Sequence, residues 1–142
     1  METNKRGLEG TETILVVDDD TFMLSLAVSL LACYGYNVLI ASTGEEVLHM
    51  LKTWPDLKID LAVTDIVMPG MNGADLAQHL NEIRPTMPII FMSAYSENPA
   101  LRPVPFRNHI FLAKPFTSMT LAAKVREALD TPRSDAAVSS SG

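Results

Sequence analysis

The stretch ILVVDDD, Ile14 to Asp20, runs four apolar residues into three adjacent carboxylates. With Thr13 in front it reads TILVV, a short, mostly β-branched apolar run of the kind that forms a buried strand. Ending such a strand in like charges is costly unless something positive meets them. The same pattern of strand and punctuation recurs along the chain. Residues 21–34 fit a helix that Gly35 stops, and YNVLIA, Tyr36 to Ala41, is a second strand. Thr43 followed by Glu46 is a capping-box pattern, opening a helix that must end at Pro55. DLAVTD, Asp60 to Asp65, is a third strand; MPGMNG, Met68 to Gly73, is turn chemistry, and a helix runs from about Gly73 to Arg84. PIIFMS, Pro88 to Ser93, is a fourth strand with proline in a permitted first position. HIFLAK, His109 to Lys114, is a fifth, and Thr117 to Leu129 a final amphipathic helix. Residues 1–12 read as a flexible leader, 13–130 as one domain and 131–142 as a disordered tail.

Composition narrows the function classes. The chain has 142 residues, 47% hydrophobic and 20% charged, enough for one domain with a real core. A formal net charge of -6, with no Lys/Arg block, argues against direct nucleic-acid binding and against an anionic membrane surface. Cys33 is the single cysteine, so no internal disulfide forms, which fits a reducing, cytoplasmic setting. The N-terminus METNKRGLEGTET is polar and does not read as a signal peptide. Thr21 to Gly44 carries no charge, but Ser25, Ser29, Gly35 and Asn37 break it up, and a membrane helix needs ~20 predominantly apolar residues.

Strands alternating with helices imply a parallel sheet covered on both faces, an α/β doubly wound fold. In such sheets ligands bind at the carboxyl ends of the strands. Asp18 and Asp19 end the first strand, Asp65 the third, Ser93 the fourth and Lys114 the fifth. Four strands therefore deliver reactive groups to one edge. Carboxylates gathered there raise one another's pKa, and a divalent cation reverses that logic. Oxygen-only ligands suit Mg²⁺ or Ca²⁺, and no His or Cys lies near to recruit zinc. Lys114 and Ser93 add an ammonium and a hydroxyl that match phosphoryl oxygens. The pocket reads as one for phosphate brought in with metal. A carboxylate can itself be the nucleophile, giving an aspartyl phosphate. Asp65, alone at its strand end, is the better candidate, with the paired Asp18 and Asp19 holding the ion.

ILVVDDD, AVTDIVMPGMNG, IIFMSA and FLAKPF, in this order and spacing across roughly residues 13–130, resemble the response-regulator receiver domain of two-component signalling. The resemblance implies a flavodoxin-like five-stranded parallel sheet in order 2-1-3-4-5. It implies that Asp65 accepts phosphate from a histidine kinase or a histidine phosphotransfer protein, with Mg²⁺ as cofactor. Asp18 and Asp19 would organise the ion, Asp19 directly, with the backbone carbonyl of Val67 and Asp65 as further ligands. Lys114 would pair with the phosphate, and the Lys114–Pro115 bond would be cis. Ser93 would bond the phosphoryl oxygens and shift toward them on activation, and Phe111 stands where the family's switch aromatic rotates inward. Such a domain is a phosphoacceptor rather than an enzyme in the usual sense, with slow self-phosphorylation from small donors and slow self-dephosphorylation. Val67 and Tyr95, uncharged and flanking the path of hydrolytic water, are expected to slow that decay.

Two regions depart from the family pattern. Between the fourth and fifth strands, Pro99, Pro103 and Pro105 leave only a shortened or irregular fourth helix, since an interior proline costs ~3 kcal/mol. The usual dimer through that face is therefore in doubt, and the oligomeric state is open. On the first helix, a spacing of ~100° per residue places Met23, Ala27, Leu30 and Tyr34 toward the core. Opposite lies a small polar stripe, Thr21, Ser25 and Ser29, flanked by Phe22 and Val28, with no charge on this face. These residues are either ordinary surface or, with Phe116, a docking face for a partner's helix. His49, His79 and His109 fall on separate elements and read as surface residues.

Other classes remain in view. A degenerate receiver would bind partners without phosphorylation. An Asp-nucleophile phosphohydrolase commonly carries a second Asp two residues on, where Val67 stands. A phosphate loop of a flavodoxin-like cofactor domain wants donors, whereas Asp18 to Asp20 offer acceptors. Residues beyond 130 do not read as an output domain. GTETILVVDDD and GYNVLIASTGEEVL are similar to receivers attached to hybrid sensor kinases, so both a stand-alone regulator and a module of a longer protein are expected forms.

Overall fold

The computed structural model describes residues 7–93 and 110–131. Its strands are β1 (Thr13–Val17), β2 (Asn37–Ala41), β3 (Leu61–Asp65), β4 (Ile89–Ser93) and β5 (Ile110–Ala113). The helices among the described residues are α1 (Thr21–Cys33), α2 (Gly44–Thr53), α3 (Gly73–Ile83) and α4 (Ser118–Asp130). The strands pair in parallel in the order β2-β1-β3-β4-β5, the order the resemblance implies. Segment 94–109, where a shortened fourth helix is expected, lies outside the described residues, and Tyr95 and His109 with it. So do 1–6 of the leader and 132–142 of the tail.

Alternation along the strands sorts their side chains onto two faces. Ile14, Val16, Leu61, Val63, Ile90, Met92 and Leu112 join Leu24, Ala27 and Leu31 of α1 and Leu121, Ala122 and Val125 of α4. On the other face Leu15, Val17 and Ala62 pack with Val47 and Leu51 of α2 and Leu76 and Leu80 of α3. Both faces of the central strands are therefore dry. Among the described residues the buried polar side chains, Asp18, Thr64 and Ser93, lie at or next to the carboxyl ends of strands.

The helix starts follow the sequence signals. Thr43 Oγ1 accepts the Glu46 N–H at 3.0 Å, Asn72 Oδ1 the Asp75 N–H at 2.8 Å, and Thr117 Oγ1 the Thr120 N–H at 3.0 Å. The reciprocal half of the α2 box lands one residue early, on the Ser42 N–H at 2.8 Å from Glu46 Oε1. Gly35, at φ +95, adopts the left-handed turn that ends α1.

The buried face of α1 differs from expectation. Leu24, Ala27 and Leu31 point inward with Tyr34, whereas Met23 and Leu30 are half-buried. The helix is apolar almost all round, so periodicity carries little information about its phase. Packing against β1, β2 and α4 together decides it. The described part of the leader is bonded to the fold. Gly10 N–H donates to Tyr34 O at 3.0 Å, Asn37 Nδ2 to Thr11 O at 3.0 Å, and the Tyr36 hydroxyl to Leu8 O at 2.9 Å.

Candidate phosphoacceptor site

Parallel register brings the strand ends to one level. Val17 pairs with Thr64, Asp65 with Met92, and Ser93 with Ala113. The chain continues this level past the strands: Asp18 N–H donates to Ala41 O at 3.2 Å and Lys114 N–H to Ser93 O at 2.8 Å. Asp18, Asp19, Asp65, Ser93 and Lys114 thus share one edge. The Lys114–Pro115 peptide bond is cis.

The three expected metal ligands converge. One carboxylate oxygen each from Asp18, Asp19 and Asp65 lies within 4.8 Å of the others. An all-oxygen set so spaced fits Mg²⁺ after small side-chain adjustments, since ligation occurs at ~2.1 Å. Asp18 is only 1% exposed and Asp19 is open to solvent. Val67 follows Asp65 by two residues with its side chain exposed.

Lys114 ties this acid cluster to the opposite side of the crevice. Its Nζ lies 2.9 Å from Asp18 Oδ2 and 3.3 Å from Asp65 Oδ1. Burial works against the ammonium's charge, but the hydrogen bond to Asp18 and the Asp65 carboxylate outweigh it, leaving the lysine pKa raised. For Asp65, burial pushes the pKa up. Lys114 opposes this, the Asp18 charge adds to it, and the net shift is upward. The backbone helps through the Ile66 N–H, 3.1 Å from Asp65 Oδ1.

Ser93 is buried at the end of β4. Phe111 is 37% exposed, its ring centroid 5.7 Å from that of the buried Phe91 and tilted by 31°. On α1, Phe22, Ser25 and Ser29 are exposed, Phe22 at 70%, and Val28 is half-buried. Phe116 is half-buried and packs against the α1–α4 core. His49 and His79 are exposed.

The third carboxylate of the opening stretch has a separate place, one that its position before a helix could have revealed. Asp20 Oδ1 accepts the Phe22 and Met23 N–H groups at 2.9 and 3.4 Å, capping α1. Its own N–H donates to Asp18 Oδ1 at 2.9 Å. Asp18 is thereby held from both sides, by a backbone donor and by Lys114.

A doubly wound sheet with a carboxylate cluster, a hydroxyl and a lysine on its carboxyl edge defines the receiver class. The family model described as the response regulator receiver domain matches residues 14–126. The chain belongs to this family, the receiver domains of two-component signalling. It is 35% identical over 124 residues to "Sensor kinase CckA" of Brucella abortus (strain 2308), covering 87% of this chain and 13% of that protein. It is 35% identical over 116 residues to "Transcriptional regulatory protein CpxR" of Escherichia coli (strain K12), covering 82% of this chain and 48% of that one. The chain thus spans less than half the length of these curated relatives. Among solved structures, a response regulator receiver protein from Sinorhizobium medicae WSM419 superposes with a TM-score of 0.76 at 33% identity, covering 85% of this chain and 96% of that one. The receiver domain of hybrid histidine kinase CckA gives a TM-score of 0.69 at 34% identity, covering 82% and 98%. No helix among the described residues is long and apolar enough to cross a membrane.

Proposed function

We propose that this chain is a working phosphoacceptor, in which Asp65 takes a phosphoryl group from a phosphohistidine on a histidine kinase or histidine phosphotransfer protein. The observation that carries this reading is the single ammonium of Lys114, shared between Asp18 at 2.9 Å and Asp65 at 3.3 Å beside the three-carboxylate cluster. A carboxylate oxygen of Asp65 bonds to phosphorus as the phosphorus–nitrogen bond to the donor imidazole breaks, and the imidazole leaves with a proton from solvent. Asp19, Asp65 and the Val67 carbonyl, with Asp18 behind them, would hold Mg²⁺, which would supply positive charge to neutralise the phosphoryl oxygens. Lys114 moves from bridging two carboxylates to pairing with the new phosphoryl group. Asp18 keeps the ammonium from swinging out, and the Asp20 N–H keeps Asp18 in place.

Phosphorylation turns one carboxylate into a larger cluster of acceptors. Ser93, buried one strand over from Asp65, is the hydroxyl within the same edge that such a cluster draws in. Phe111, now partly exposed against Phe91, then has room to turn inward, and the two packings form the switch. Val67, uncharged beside the acceptor, gives no help to hydrolytic water, so the adduct decays slowly. The donor docks on α1, where Phe22, Ser25 and Val28 offer an uncharged surface, with Phe116 at its border. A cytoplasmic setting fits the lone free Cys33.

Two phosphate donors test this together. Wild type should take up phosphate from a phosphorylated histidine donor and from acetyl phosphate, in both cases only with Mg²⁺. Asp65→Asn should take it from neither. Ser25→Glu should slow the protein donor about tenfold while leaving acetyl phosphate unaffected. Equal loss with both donors removes the docking face, and labelling of Asp65→Asn removes the acceptor assignment.

A further inference from the structure

The loop from Ile66 to Asn72 leads from Asp65 into α3. Its base is closed tightly. Gly73 N–H donates to Ile66 O at 2.8 Å, and a side chain at Gly73 would run into the Asp65 carbonyl oxygen. Its far part lies on α2, which brings no reactive group to the pocket. Gly44, the first residue of α2, is buried. A Cβ there would stand 2.7 Å from Met71 Sδ, 3.1 Å from its Cγ and 3.3 Å from its Cβ. The methionine side chain therefore lies along the glycine from its sulfur back to its Cβ. Swinging the thioether aside would not by itself make room. Gly70, at φ +76, brings the loop against α2 a second time, with Glu45 Oε2 3.3 Å from where a Cβ would be. Met68 and Met71 pack into the same apolar cluster as Val47 and Leu51 of α2. Val67 lies on the span between the closed base and the seated methionine.

We propose that Met71 seated on Gly44 is a latch that positions the loop after Asp65, setting the Val67 carbonyl for the cation. Met71 and Gly44 are positioning residues, acting through the loop without touching phosphate or ion. The inference rests on the phosphoacceptor reading, because the Val67 carbonyl matters only if a cation binds beside Asp65.

Mg²⁺ titration by calorimetry on the unphosphorylated protein, with thermal unfolding to confirm the fold, tests the latch. Gly44→Ala should weaken Mg²⁺ binding about tenfold by pushing Met71 and the loop outward, and Met71→Ala about threefold by releasing the loop. In Gly44→Ala/Met71→Ala the new methyl occupies the space the thioether leaves, so affinity should recover above that of Gly44→Ala alone. Multiplying losses in the double variant, or a Gly44→Ala affinity within about twofold of wild type, overturns the latch. Should Gly44→Ala fail to fold, Met71→Ala alone decides, and a loss below about twofold overturns the proposal. Wild type that binds Mg²⁺ with unaffected variants overturns the latch and leaves the phosphoacceptor reading standing. Wild type that takes up no Mg²⁺ overturns both.

Discussion

Asp65 stands beside an ammonium and a second carboxylate, and the fold carries its negative charge at a cost. Burial raises its pKa, Lys114 opposes, Asp18 adds to the rise, and the net shift is upward, so the fold makes ionisation costlier than in the unfolded chain. For a raised pKa the linked stability is present at acid pH, below the unfolded value, and is lost as pH rises through the folded value. At neutral pH the ionised Asp65 therefore costs stability. Asp65→Asn should melt a few degrees above wild type in metal-free neutral buffer. That advantage should shrink as Mg²⁺ is added, because the variant has lost a ligand. Differential scanning calorimetry at neutral and acid pH checks both signs; a lower melting temperature for the variant without metal contradicts this reading of the charge cluster. Asp18 and Asp19 were legible as a pair from their place after an apolar run. The separate duty of Asp20 was legible in principle, since it alone of the three stands directly before the helix it caps.

Among the elements, α4 and the leader are joined by Arg126. Its guanidinium meets Glu12 at 3.0 and 3.2 Å, Asp130 at 2.6 and 3.2 Å and the Tyr36 hydroxyl at 3.2 Å. Burial works against the Glu12 carboxylate, but the hydrogen bond from Arg126 prevails and its pKa is lowered. A lowered carboxyl pKa gives stability that is present above the unfolded value and is lost as pH falls through the folded one. Arg126→Met should lower stability by about 1–2 kcal/mol at neutral pH, with a smaller loss in high salt. The difference from wild type should close in acid, and urea unfolding across pH and salt measures it. A deficit that persists unchanged at low pH would assign the loss to packing instead. This joint spans residues far apart in the chain, so no local pattern announces it. The capped start of α2 was legible because a capping box is a relation between residues three apart in the sequence. The phase of α1 was legible only in part: Thr21, Ser25 and Ser29 mark its exposed face, but the rest of the helix is apolar and its neighbours choose which of those residues are buried.

Over the whole molecule, the site could be found in the sequence because parallel topology sends every strand's carboxyl end to the same edge. Reading which strands end in Asp, Ser and Lys was enough to gather Asp18, Asp19, Asp65, Ser93 and Lys114. The register of the sheet places them there. Contacts across loops were not legible. Nothing in the sequence tells that Lys114 bridges Asp18 and Asp65, or that Met71 rests on Gly44, since both depend on how separate loops fold over the sheet edge. The central claim is chemical: one carboxylate on this edge becomes an acyl phosphate. Borohydride reduction after incubation with Mg²⁺ and acetyl phosphate converts such an adduct to homoserine, which peptide mass spectrometry locates. Homoserine at position 65, absent when Mg²⁺ is chelated, is the predicted result. An unmodified Asp65, or homoserine at Asp18 or Asp19 instead, would contradict it.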